Sequence, residues 1–364
     1  MAHERRSKAP QSGRRTGSEA VFSEGGRTRT DLREKIGFLE TPATYGSECG
    51  QVDTRETRMS WVFLTADFVY KLKKPVRLPH LDFSTLHRRR FFCEEELRLN
   101  RRLAPETYLG LVPLRRDRVG RLCLGGPQER VVDWLIKMRR LPQEDMLDHR
   151  IEHGTLAPAD IAELAATLVT FYRSLPTETN GAEVYALHLR REQEINRETL
   201  LQHSFGIAGP AADVVGRVDA LISEALPLIK GRFEARAILE GHGDLRPEHV
   251  CLSEPPQIID CLEFSRTMRI VDPYDEVGYL GMECDMLGAE WIRPQLEKAL
   301  SQTGILPPPP ALKRLYAAFR CLLRARLSIL HLLERPIRHP AKWRPLALRY
   351  LKQAEREMVS PQSR

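Results

Sequence analysis

The rhythm of apolar and polar positions changes near residue 143. Before it, short alternating runs dominate. In "TRMSWVFLTADFVYKLKKPV" two apolar runs, Trp61 to Leu64 and Phe68 to Val76, flank Thr65-Ala66-Asp67, which is the pattern of two strands and a turn. Alternation along the second run puts Val69, Lys71 and Lys73 on one face and Tyr70, Leu72 and Lys74 on the other. Two lysines on one strand face need a reason. "YLGLVPLRRD" and "RLCLGG" read as further strands, and "RVVDWLIKMRRLP" as an apolar strand running into a connector that Pro142 ends. Two helices interrupt them. Asp31 is the expected cap of one in "DLREKIGFLETPATYG". The other, "LDFSTLHRRRFFCEEELRLNRRLAP", is closed by Pro105 and places Glu96 a turn ahead of Leu99 and two turns ahead of Leu103.

After residue 143 the spacing is helical. "APADIAELAATLVTFYRSLP", "YALHLRREQEINRETLLQH", "AADVVGRVDALISEALPLIKGRFEAR" and "ALKRLYAAFRCLLRARLSILHLLE" are helices, and "LPPPP" is a rigid link between two of them. A polar loop and a short strand in "PPQIIDCLEF" are embedded among them. The expected class is α+β in two lobes: a small β-rich N-lobe with one long helix at residues 31–137, and a larger, mainly helical C-lobe at 138–358. A cleft between unlike lobes is a common ligand site.

Composition refines this only at the margins. The 364 residues are 42 % hydrophobic and 29 % charged, as in ordinary soluble proteins. Part of the net charge of +7 sits in residues 1–30, which read as a disordered basic tail, solvated rather than bound to nucleic acid; residues 359–364 form a second tail. The chain shows no secretory apolar core and no run approaching the roughly 18 apolar residues of a membrane span, so a cytoplasmic location is expected. Seven scattered cysteines with no C-x-x-C pair read as reduced thiols. In "HRRRFF", Phe91 and Phe92 are expected to pack the helix while the arginines face water.

The polar loop carries the chemistry. "ILEGHGDLRPEHVCL" sets His242, Asp244 and His249 between two apolar runs. "HGDLRPEH" resembles the catalytic loop of the protein-kinase-like superfamily, whose protein-kinase form is H-R-D-L-K-P-E-N. Gly243 in place of Arg is the variant of aminoglycoside phosphotransferases and related small-molecule kinases. Sixteen residues after Asp244, "IIDCLEF" places Asp260 like the metal-binding Asp of those enzymes. "VDPYDEVGYL" resembles the segment whose second acid, here Asp275, braces the loop. "FVYKLKK" resembles the strand-three lysine motif, with Lys71 at the lysine and Lys73 as competitor. Glu96, ahead of Glu94 and Glu95, is its matching partner. Over roughly residues 35 to 335 the chain is similar to uncharacterised bacterial enzymes of the aminoglycoside phosphotransferase family. Some of those carry a C-terminal P-loop ATPase domain, whose G-x-x-x-x-G-K-[ST] is absent here.

The resemblance implies phosphoryl transfer, which is mostly positioning and charge stabilisation. Lys71, held by Glu96, would meet nucleotide phosphates. Asp260 would bind Mg²⁺ through hard oxygen. Asp244 would take the acceptor's proton and Arg246 would neutralise the moving group. Arg58 and Ser60, in the glycine-free "TRETRMS", and Met138 are the expected nucleotide contacts. His242 is expected to be structural, and Glu263 to face either the site or its rim. His249 stands where the family has Asn. It holds the loop, binds metal, or marks a degenerate site, since imidazole is a poor Mg²⁺ ligand. The expected function is transfer from ATP or GTP, with Mg²⁺, to a hydroxyl of a small molecule. The alternative is a pseudokinase that binds nucleotide or acts as a scaffold.

Overall fold

A computed structural model of the chain describes residues 26–359, apart from 79–80, 127–129, 303 and 335. Most of the two expected tails therefore lies outside the described residues. Helix α1 (Gly26–Glu40) begins before Asp31. The expected cap lies inside the helix instead, because its carboxylate pairs with Lys35 one turn on, at 2.6 Å, and with Arg116 at 3.3 Å.

The N-lobe is one antiparallel sheet of β1 (Asp53–Glu56), β2 (Ser60–Leu64), β3 (Phe68–Lys73), β6 (Tyr108–Arg116), β7 (Leu122–Leu124) and β8 (Arg130–Arg139), with a small hairpin, β4 (Arg77–Leu78) and β5 (Leu81–Asp82), beside it. Its order is β1-β2-β3-β8-β6-β7, which sets β3 beside β8. Register decides the faces: Ser60 pairs with Lys73, Val62 with Lys71, Lys71 with Ile136 and Val69 with Met138. Cross-strand partners share a face, so these residues form one surface. Helix α2 (Leu86–Asn100) covers that surface through Cys93 and Leu97, while Leu39 of α1 packs with Phe63, Tyr70, Leu72 and Leu135 on the other. β3 is thus enclosed on both sides, and its lysines are enclosed with it.

Thr85 caps α2 by accepting the Arg88 N–H at 3.2 Å. The inward stripe is Arg89, Cys93, Glu96, Leu97 and Asn100, at helical spacing. This corrects the reading of "HRRRFF". Arg89 is buried in a two-pronged pair with Asp133, at 2.8 and 3.0 Å, while Phe91 is 51 % exposed. Asp133 is buried on β8 and needs a cation; Lys35 supplies a second at 3.0 Å.

The C-lobe contains α3 (Leu147–Glu152), α4 (Pro158–Ser174), α5 (Ala182–Leu200), α6 (Ala208–Glu234), α7 (Arg266–Arg269), α8 (Pro273–Met286), α9 (Ile292–Ser301), α10 (Pro310–Leu330) and α11 (Pro340–Met358). Basic α10 buries Leu312, Leu315, Phe319, Leu322 and Ile329 against α5, α6 and α11. Two short ladders sit in this helical lobe: β9 (Leu239–Glu240) with β12 (Ile270–Val271), and β10 (Val250–Cys251) with β11 (Gln257–Ile258). The loop of residues 241–249 joins them and faces the lysine side of the sheet.

Candidate active site

The loop is held from beneath by α8. The Glu276 carboxylate accepts the backbone N–H of His242 at 2.9 Å and of Gly243 at 2.5 Å, and the hydroxyl of Tyr172 at 2.8 Å. The brace expected at Asp275 is therefore its neighbour. Asp275 turns the other way and forms a two-pronged pair with Arg320 of α10, at 3.0 and 2.6 Å. The two glycines have geometric causes. A Cβ on Gly241 would lie 2.6 Å from the Glu276 carboxylate, and Gly243 has φ +89° with backbone and side chains at 3.1–3.2 Å from such a Cβ. From the N-lobe, Arg102 donates to the Glu240 and Gly241 carbonyls, both at 2.8 Å, and Asn100 accepts the Cys261 N–H at 2.9 Å. Neither residue was singled out in the sequence; Asn100 closes the helix that carries Glu96 and Arg102 lies in the turn that follows it.

His242 is buried and its two nitrogens are both committed. Nε2 donates to the Ile259 carbonyl at 2.9 Å, and Nδ1 accepts the Asp244 N–H at 3.3 Å. A second proton would have to point at an existing donor. Burial, then the neighbouring His249, pushes the imidazole down to about 3. The unfolded chain takes up this proton below about pH 6.5 and the folded chain does not. Stability from this group is therefore complete above that pH and is lost as pH falls toward 3. We expect a loss of roughly 2 kcal/mol by pH 5. In urea unfolding at pH 7.5 and 5, His242→Gln, which cannot titrate, should flatten that slope; an unchanged slope would exclude His242 as its source.

Asp244 is three-quarters buried at the loop's tip. Its Oδ2 lies 3.0 Å from Arg246 Nη2, and its Oδ1 accepts the Tyr279 hydroxyl at 3.4 Å. Burial would raise its pKa, but Arg246, His249 and Arg324 hold it below the usual carboxylate range. His249 Nδ1 donates to the Asp244 carbonyl at 2.8 Å. The lone pair then resides on Nε2, which accepts from Arg246 Nη2 at 3.1 Å. His249 thus ties the loop to itself, and the nitrogen that would face a metal is already occupied.

Asp260 follows β11 with φ +62°, a left-handed conformation rarely taken by residues other than Gly, Asn and Asp. The twist aims its carboxylate across the cleft, where Lys71 Nζ contacts Oδ1 at 2.8 Å and Glu96 at 2.9 Å. Asp260 Oδ2 accepts no hydrogen bond among the described residues, with His249 Nε2 at 3.7 Å. Burial would raise the Asp260 pKa, yet Lys71, His249 and Arg246 hold it well below normal. Lys73 joins the network from deeper in the sheet. It contacts the second Glu96 oxygen at 2.5 Å and also pairs with Glu263. Of the two positions open to Glu263, the structure places it at the buried end of this network. Its pKa is raised by burial in spite of Lys73. Glu94 and Glu95 pair with Arg90 and Arg98 away from these lysines.

Ser60 and Met138 lie on the lysine face of the sheet, both buried. Arg58 stands exposed in the β1–β2 turn. That turn is tight: the Ser60 N–H is donated to Thr57 Oγ1 at 2.9 Å, and the Thr57 N–H to the Ser60 carbonyl at 2.9 Å. Tyr108, not identified from the sequence, pairs in register with Met138 and places its hydroxyl 3.1 Å from the Asp260 N–H, as acceptor. Among the described residues, no three His, Cys, Asp or Glu side chains gather as a metal-binding group, and no helix is long and apolar enough to cross a membrane.

No family model matches the chain. Uncharacterised proteins of Mycobacterium tuberculosis (Rv2004c) and Mycobacterium bovis (Mb2027c) are 30 % identical to it over 286 residues, 76 % of this chain. The chain spans about half the length of these relatives, 54 %. A choline/ethanolamine kinase family protein from Mesorhizobium loti superposes with a TM-score of 0.52 at 15 % identity, covering 92 % of this chain and 96 % of that one. Aminoglycoside 2'-phosphotransferase-IIIa, in its GDP complex, superposes with a TM-score of 0.53 at 14 % identity, covering 89 % and 99 %. The chain therefore shares the two-lobed fold of these two solved proteins.

Proposed function

We propose that the chain is a phosphotransferase that moves the terminal phosphoryl group of ATP or GTP to a hydroxyl of a small molecule. The observation that carries this reading is the convergence of Lys71, Glu96 and Asp260 across the cleft, with Asp244 and Arg246 on the adjoining loop. Lys71 and Arg246 would bind the phosphates; Asp244 would orient the acceptor hydroxyl and take its proton. Val69, Met138 and Ser60 would line the nucleotide pocket, with Arg58 at its mouth. One free carboxylate oxygen on Asp260 suits Mg²⁺, which commonly binds one or two carboxylates and completes its shell with phosphate and water. His249 then serves the loop rather than the metal. When bound, Mg²⁺ would neutralise charge on the phosphates.

The tight, glycine-free turn between β1 and β2 favours a second reading, nucleotide binding without transfer. Both are tested by melting the protein with ATP or GTP and Mg²⁺ or Mn²⁺. A ligand bound only to the native state raises Tm, by the equivalent of about 2.7 kcal/mol at a hundred times Kd. We expect a metal-dependent rise that Asp260→Ala abolishes. A rise without any Asp244-dependent turnover would favour the second reading. No rise at millimolar nucleotide would sink both.

A further inference from the structure

Beside α8, whose Tyr279 reaches Asp244, stands a guanidinium that the proposed transfer does not use. Arg324, on α10, is fixed at one nitrogen. Its Nε donates to Glu283 at 2.6 Å and lies 3.3 Å from the Tyr350 hydroxyl, and its Cζ sits 5.5 Å from the Tyr350 ring centre. Its Nη1 and Nη2 have no acceptor among the described residues, although the side chain is only 17 % exposed. The next arginine back on the same helix, Arg320, is the contrast: both prongs are spent on Asp275.

Position ties Arg324 to the loop. Tyr279, whose hydroxyl reaches Asp244, and Glu283, which holds Arg324, are one turn apart on α8. A turn advances about 5.4 Å. The contact that reaches Asp244 and the contact that holds Arg324 are thus about one turn apart along α8, and the guanidinium is near enough to help hold the Asp244 and Glu248 carboxyls down. The acids on this side are already paired: Glu283 with Arg324 and the Tyr350 hydroxyl, Glu248 with Arg246, Asp244 with Arg246 and Tyr279. A largely buried guanidinium with two open donors matches the oxygens of a carboxylate or phosphate, which it can grip in two places.

We infer that this site takes an acceptor bearing a carboxylate or phosphate, held by Arg324 while Asp244 receives its hydroxyl. The class of acceptor rests on the phosphotransferase reading; the anion site does not. The test is thermal melting of the full chain with inorganic phosphate, malonate, glycerol or choline at equal concentration, without nucleotide. Phosphate or malonate should raise Tm, glycerol and choline should not, and Lys71→Met should keep the rise. Arg324→Gln should weaken the apparent affinity at least tenfold, as expected for a lost charge-assisted pair. Because that change leaves Glu283 buried without its cation, Glu283→Gln/Arg324→Gln is the folding-neutral companion and should show the same loss. A rise with phosphate alone assigns a phosphate ester, and with malonate alone a hydroxy acid. No rise with either anion, a rise unchanged in both Arg324 variants, or a rise with choline instead would overturn the inference. Nucleotide and Mg²⁺ melts on the same samples report separately: if they show no binding while the anion effect stands, phosphotransfer falls and the anion site remains.

Discussion

Asp244→Asn should cut turnover by about 10²–10⁴-fold, the usual contribution of a positioned acid or base, while leaving the nucleotide-dependent rise in Tm intact. The substitution keeps the side chain's shape, so Tyr279 and Arg246 retain a neighbour of the same size. What disappears is a charge. Arg246 neutralises that charge in the resting site and would be freed for the transferring group as the acceptor hydroxyl arrives. Because Asp244 is held below the usual carboxylate range, it is ionised at every ordinary working pH. The rate should therefore show no acidic limb in the usual range of a glutamate or aspartate. Transfer to an acceptor or to water serves as the readout. Activity within tenfold of wild type would remove Asp244 from the chemistry. A melt that no longer responds to nucleotide would instead make it a structural residue.

The parts of this site that could be read from the chain are those governed by local rules. Strand alternation put Lys71 and Lys73 on one face, and helical spacing set Glu96 a turn ahead of Leu99. An octapeptide and a sixteen-residue interval picked out Asp244 and Asp260. The structure brings Glu96 and Asp260 each within hydrogen-bond distance of Lys71. What could not be read depends on which neighbour lies opposite. Asp275 and Glu276 are adjacent acids on one helix, about 100° apart around its axis. Only the packing of α8 between the loop and α10 shows that Glu276 meets the loop and Asp275 meets Arg320. Arg89 looked like a solvated charge because its partner, Asp133, is 44 residues away on a strand that reads as apolar. Alternation alone does not separate Lys71 from Lys73, and in the fold both pair with Glu96, one on each carboxylate oxygen.

That shared carboxylate makes Lys73 the most consequential structural charge in the cleft. Lys73→Met should destabilise the fold by about 3–5 kcal/mol, the cost of removing one partner from a buried ion pair. Glu96 would keep Lys71, but Glu263, 8 % exposed at its side chain, would lose its cation. The size of the loss should depend on pH, with a definite sign. The Glu263 pKa is raised by burial even with Lys73 present, and must rise further without it. A carboxyl whose folded pKa lies above its unfolded value binds its proton more tightly in the folded chain. The variant's deficit should therefore shrink as pH falls toward the ordinary glutamate range, and widen again above it. Adding Glu263→Gln, which removes the stranded charge, should restore most of the loss at pH 7.5. Urea unfolding of wild type, Lys73→Met and the double variant at pH 7.5 and 5 measures all three quantities. A single-variant loss below about 1 kcal/mol would place Lys73 among weak surface pairs. A full loss that Glu263→Gln fails to relieve would mean that Glu96, not Glu263, is the residue Lys73 supports. In that case nucleotide affinity should fall along with stability, because Glu96 is what holds Lys71 toward Asp260.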